Sequence, residues 1–273
     1  MNKTWRPYVS HKILSEFVPP VGQEHSHCDM KRGFARARKR DPQVAALLNR
    51  DNPPQRIGLL AQRGVYEFHQ DPKILSQTDA VQTVSERLEL SQQSVEVRQR
   101  VIFILNNYHQ NPILRGKNII KLSRGDEGVP KPILMRQGNY QFNFFAAIDC
   151  IFVEPDGTLH VLDFKTGKSK IDKRQAYIYL LAVSYIYPQQ KVIASFYNLE
   201  TGDPSDAIAA TPATLKAFEI ELSLKAQQLQ QELKRYQDNP ADFSVIFPPN
   251  PGSSCRTCPF TSICNISVSE VAA

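Results

Sequence analysis

The chain has 273 residues, of which 41% are hydrophobic and 22% charged, close to the globular average and enough to bury a substantial core. Its formal charge of +6 favours polyanionic partners. No apolar run follows Met1–Arg6, and the longest near-apolar stretch, Tyr177 to Tyr187, is far too short to span a bilayer. A cytoplasmic protein without signal peptide or membrane partner is therefore expected.

In chain order, the segment from Asn2 is polar and irregular, then turns basic over Lys31 to Arg40, where six of ten residues are cationic. That run suits either a solvated helix face or a phosphate-contacting arm built from Lys31, Arg32, Arg36, Arg38, Lys39 and Arg40. Val84, Leu88, Val95, Ile102 and Leu105 recur at helical spacing and predict a helix to about Tyr108, ended by Asn111-Pro112. Lys117 to Asn143 reads as loop-rich. Phe144 to Val153 is apolar and rich in β-formers, Glu154-Pro155-Asp156-Gly157 is a turn signal, and Thr158 to Phe164 resumes as a strand, which together predict a β-hairpin. A helix from about Asp172 to Tyr187 follows, then a strand from Lys191 to Leu199 and a long helix from Ala213 to Gln237. Pro248 to Gly252 cannot be helical and leads the chain to its last cysteines.

A hairpin centred on Asp156 places Asp149 opposite or nearly opposite Asp163, with Cβ atoms about 5 Å apart if the pairing is direct. Two carboxylates that close repel, and one takes up a proton unless a cation lies between them. A hard divalent ion such as Mg²⁺ or Mn²⁺ resolves the conflict through oxygen ligands. Lys165 follows Asp163 by two residues and so shares its strand face. There an ammonium can orient a water and offset charge developing on a phosphate.

Five cysteines make an odd set, which disfavours a simple disulfide framework. Cys255, Cys258 and Cys264 form C-x₂-C-x₅-C, Cys28 is the natural fourth thiolate, and Cys150 sits in an apolar strand as an expected core residue. Four thiolates suit tetrahedral zinc or a [4Fe–4S] cluster, and spacing alone does not choose between them. Gly167-Lys168-Ser169 resembles the end of a phosphate-binding loop, but the pattern needs glycine where Leu162 stands, so no nucleotide cofactor is expected.

The series Ile148-Asp149 and Val161-Leu162-Asp163-Phe164-Lys165-Thr166-Gly167-Lys168 resembles the second and third motifs of the PD-(D/E)xK nuclease superfamily, in its RecB-like branch. The resemblance runs from Cys28 to Cys264. It implies an α/β, restriction-endonuclease-like core, a central mixed sheet flanked by helices, within one domain over 1–273. That domain comprises an N-terminal cluster and histidine segment (28–70), a catalytic core (144–200) and a C-terminal cluster segment (248–264). Asp149, Asp163, the Phe164 carbonyl and an upstream helical histidine, best matched by His69 after Gly64, would hold the metal. Lys165 would assist the water, and Gln175 and Tyr179, four apart on a following helix, would position a DNA strand. The cysteine pattern resembles the iron–sulfur nucleases of the AddB and CRISPR-adaptation type, which implies a [4Fe–4S] cluster joining the chain ends at Cys28, Cys255, Cys258 and Cys264, with zinc as the alternative. The implied activity is metal-dependent DNA hydrolysis, exonucleolytic, on single strands or DNA ends, with a helicase or CRISPR integrase subunit as partner. The competing reading is a non-catalytic DNA-binding or assembly subunit that keeps the fold.

Overall fold

The computed structural model describes residues 6–71, 73–167 and 172–264, apart from the Ser26 side chain. Met1 to Trp5, Lys168 and Ser169 of the segments read above lie outside the described residues. In chain order the first elements are β1 (Tyr8–Ser10), α1 (His11–Phe17), α2 (Asp29–Arg36), α3 (Pro42–Leu48), α4 (Pro53–Gln70), α5 (Ala80–Arg87) and α6 (Val95–Gln110). They are followed by β2 (Asn118–Leu122), β3 (Ile133–Gln137), β4 (Tyr140–Phe145), β5 (Cys150–Val153) and β6 (Leu159–Lys165). The last are α7 (Lys173–Ile186), β7 (Val192–Asn198), α8 (Pro212–Asp238) and α9 (Phe243–Ile246). The chain groups into two compact units, one of residues 1–51, 132–145 and 216–273, the other of 52–131 and 146–215.

The first unit is built on a three-stranded sheet in the order β1-β4-β3, with β1 parallel and β3 antiparallel to β4. Val9, Met135, Phe142 and Phe144 are buried there. On α8, Phe218, Leu222, Ala226 and Leu229 form a buried stripe at helical spacing, while Ile220 and Leu224 face solvent. Gly33 of α2 is required by packing: a Cβ added there would lie 2.5 Å from Phe247 Cγ.

The second unit carries a four-stranded sheet in the order β2-β5-β6-β7, antiparallel except for the parallel β6–β7 pair that α7 connects. Asn52 caps α4, its side chain accepting from the Gln55 N–H at 3.2 Å, with Pro53 in the first turn where no amide hydrogen is needed. A Cβ added to Gly64 would meet Leu105 Cδ2 at 2.3 Å, so this glycine serves the close approach of α4 to α6. Cys150 is fully buried in the same core, as expected, and burial beside Asp149 pushes its thiol up to about 12.

The architecture is mixed α/β with helices against mixed sheets, but among the described residues there are two sheets where one was expected. The difference traces to the run from Phe144 to Val153. It breaks at 146–149, with β4 in one sheet and β5 in the other. Two alanines, weak β-formers, mark the break, and a continuous apolar run does not reveal where a strand changes sheets. The expected helix from Val84 is also two helices: Glu89 turns left-handed at φ 54°, and Ser94 restarts the helix by accepting from the Val97 N–H. The stretch read as loop contains β2, β3 and the start of β4, short strands whose periodicity is weak.

Candidate functional site

The β5–β6 hairpin sets the site. Its register pairs Cys150 with Leu162, so one further step brings Asp149 level with Asp163. Asp149 stands just before β5, and its Oδ2 accepts the Phe164 backbone N–H at 2.9 Å. Asp163 is 3% exposed on β6. Its Oδ1 accepts from the Tyr179 hydroxyl in a short contact and from Gln175 Nε2 at 3.2 Å. Lys165 Nζ lies 2.6 Å from Asp163 Oδ2 and donates to Gln175 Oε1 at 2.9 Å. Gln175 Nε2 also reaches the Tyr179 oxygen at 2.6 Å. The i,i+4 pair on α7 therefore faces the acid and the lysine, because Asp172 caps the helix through the Arg174 N–H and fixes its start.

The upstream helix contributes a residue that motif reading overlooked. Gln62 Nε2 donates to Asp149 Oδ1 at 3.0 Å. His69, the residue singled out from the sequence, lies two turns further along α4, where its Nε2 pairs with the Tyr108 hydroxyl at 2.7 Å. Burial, with Arg115 nearby, lowers His69 to about 4, so its ring is neutral at pH 7. The available signal was the four-residue spacing from Gly58 to Gln62. A Cβ on Gly58 would stand 3.5 Å from Thr166 Oγ1, next to the end of β6. Gly64, which directed attention to His69, is accounted for by Leu105.

Electrostatically the centre is charged in excess of its partners. Burial and then the repulsion of Asp163 raise the Asp149 carboxyl above its ordinary range, against the Phe164 N–H, Lys165 and Gln62. Tyr179 is held far above the usual phenol range by burial and the two carboxylates, so it stays a proton donor. Asp163 Oδ2 is buried and receives no aligned hydrogen bond; the Lys165 ammonium is a charge contact beside it. Two buried carboxylates side by side, one of which resists ionisation while the other has a single ammonium contact at its free oxygen, are the condition a divalent cation relieves. The donor set fits Mg²⁺ or Mn²⁺. Among the described residues no three His, Cys, Asp or Glu side chains are gathered as a metal group, so any further ligands would be amide or carbonyl oxygens, water or substrate.

In the other unit Cys28, Cys255, Cys258 and Cys264 line one cavity. The two chain segments meet there through Met30 N–H to Pro248 O at 3.2 Å and Asn250 Nδ2 to His27 O at 2.7 Å. Phe34 closes one side, with its ring centroid 5.1 Å from Phe243 and 5.2 Å from Phe260. All four thiols are free and partly buried. Burial raises Cys258, with Lys31 opposing. Four free thiols lining one cavity have the donor chemistry for either zinc or an iron–sulfur cluster, but among the described residues no three of them are drawn together as a metal group.

The basic segment divides. Arg32 is 3% exposed, forked onto Glu232 with Nη2–Oε1 at 2.8 Å, and in close contact with Asp29. The expectation that it contacts phosphate is thus corrected: its charge is spent inside the unit. Arg36 is paired with Glu16 and Arg38 with Asp41. Lys31 lines the cysteine cavity, and Lys39 and Arg40 remain exposed.

Comparison with known proteins agrees with this geometry at the level of the family. The model of the PD-(D/E)XK nuclease superfamily matches residues 30–265. No curated protein matches. Among solved structures, the chain is similar to one described as "Crystal structure of SSO0001", at 14% identity and a TM-score of 0.29, covering 76% of this chain and 94% of that one. That likeness is too slight to carry an argument about fold or activity. No helix among the described residues is long and apolar enough to cross a membrane. With the acid pair and lysine set on one hairpin and the family model spanning both units, the chain belongs to the PD-(D/E)XK nuclease superfamily, whose members are metal-dependent nucleases.

Proposed function

We propose that the protein hydrolyses DNA phosphodiesters, on single strands or at DNA ends, with Mg²⁺ or Mn²⁺ bound at Asp149 and Asp163. The bound ion would supply Lewis acidity and a more acidic water. Asp149 and Asp163 hold it, with the Phe164 carbonyl beside them in sequence. Gln62 orients Asp149, and His69 is the other α4 candidate. Tyr179 and Gln175 fix Asp163, and Gln175 turns the Lys165 ammonium toward the acid, where it can orient the attacking water and offset charge on the phosphate. The observation that carries this reading is Lys165 Nζ, 2.6 Å from a buried carboxylate oxygen that no aligned donor satisfies.

In the same proposal Cys28, Cys255, Cys258 and Cys264 hold a [4Fe–4S] cluster, with zinc as the alternative, and so tie residue 28 to the segment at 255–264. Closing so long a loop restricts the unfolded chain. Unwinding or integration would fall to a partner, a helicase or a CRISPR integrase subunit. The test compares wild type with Asp163→Ala and Lys165→Ala on labelled single- and double-stranded DNA with Mn²⁺. Cleavage by wild type alone is expected; equal cleavage by all three removes the assignment.

A further inference from the structure

The first unit contains a groove that the catalytic reading does not use. It runs between the end of α2, with the turn after it, and the C-terminal half of α8. Lys39 and Arg40 line it from one side, Lys234 and Tyr236 from the other, and Tyr8 of β1 adds a second ring. No carboxylate lines it, and the amides of Gln230 and Gln237 complete the wall. Arg36 also borders the groove, but its guanidinium is forked onto Glu16. Lys39, Arg40 and Lys234 are exposed and make no ion pair among the described residues. Three unneutralised cations on facing elements, 194 positions apart between Arg40 and Lys234, are a product of the fold and not of one basic run.

We infer that this groove binds a single strand of nucleic acid, with Lys39, Arg40 and Lys234 on its phosphates and Tyr8 and Tyr236 against its bases. Cations without carboxylates suit a polyanion, and half-buried rings with amides beside them suit unpaired bases, which offer both a face and a hydrogen-bonding edge. A duplex hides its base faces and would engage only the cations. Sequence tolerance follows, since any base can stack. The inference rests on the proposed action on DNA but concerns retention of the strand, not its cleavage.

The test measures binding of the full chain to a fluorescent oligothymidylate and to a duplex of equal length, across a salt series without added divalent ion. The variant is Lys39→Ala/Arg40→Ala/Lys234→Ala; Lys121→Ala/Arg136→Ala/Lys191→Ala serves as a control of equal charge loss at exposed sites. The groove variant is expected to lose tenfold or more in affinity for the single strand, and its salt slope is expected to fall by about 2, the counterion release of three phosphate contacts. The control should change less than about threefold. Tyr236→Leu is expected to weaken the single strand more than the duplex. Affinity equal to that of the control variant, or a loss confined to the duplex, overturns the groove. Asp163→Ala keeps the two ideas apart. If it binds thymidylate as wild type does but fails to cleave, the catalytic assignment stands whatever the groove does. If it still cleaves, that assignment falls while the binding result remains readable.

Discussion

The carboxylate centre and the cysteine cavity differ in how completely their side chains are fixed. Around Asp163, hydrogen bonds from Tyr179 and Gln175 and the Lys165 contact hold every functional group against another. Around the cavity, the cysteine thiols have few partners: the Cys264 thiol donates to Met30 Sδ at 3.5 Å, and the Phe260 backbone N–H lies against Cys258. The first is a preorganised network in which a metal would replace a repulsion. The second is a set of loosely held thiols whose geometry a bound metal would itself impose, so metal and folding should be linked there. Loss of a ligand should accordingly affect catalysis at one site and stability at the other.

The largest effect expected is on catalysis. Asp163→Ala and Lys165→Ala should each lower the cleavage rate by roughly a thousandfold or more, with the circular dichroism spectrum preserved, because a missing ligand or ammonium uncovers charge in the transition state. A variant that lost its fold along with its rate would make the two sites alike and break the contrast. Next comes Cys258→Ala. Protein prepared without oxygen should be brown, and the variant colourless and less stable by several kcal/mol in denaturant titration. Colourless wild type with stoichiometric zinc would keep the clamp and replace the cluster.

Arg32→Met should cost about 3 kcal/mol of stability by leaving Glu232 buried and unpaired. It should leave oligonucleotide affinity unchanged, which separates structural cations from phosphate-binding ones within one basic run. On α4, Gln62→Ala is expected to reduce cleavage about tenfold through a misplaced Asp149, and His69→Ala to cost less. The reverse order would return the metal-site role to His69.

The smallest effect is on pH dependence. The Asp149 carboxyl is raised in the metal-free fold, so its stabilising contribution is present below the ordinary carboxylate value of about 3.9 and is lost as pH rises through the elevated one. Metal-free wild type should therefore lose thermal stability relative to Asp149→Asn on going from acid to neutral pH, and Mn²⁺ should restore it to wild type alone. Parallel melting curves for the two proteins would show that Asp149 does not govern the centre.

The sequence alone determined the hairpin that brings Asp149, Asp163 and Lys165 together. Asp149, the turn at 154–157 and Asp163-Phe164-Lys165 lie within 17 residues, and strand alternation and turn chemistry are local rules. It also determined the α7 pair, because i,i+4 spacing fixes a shared helix face. Only the tertiary structure decided which part of α4 meets Asp149, since helical periodicity gives Gln62 and His69, two turns apart, the same face but not the same height. Only tertiary structure, too, sorted the basic segment. Arg32 turns inward because Glu232 waits on α8, while Lys39 and Arg40 gain Lys234 and Tyr236 across a groove. Such pairings depend on contacts about 200 positions apart, which local rules do not encode.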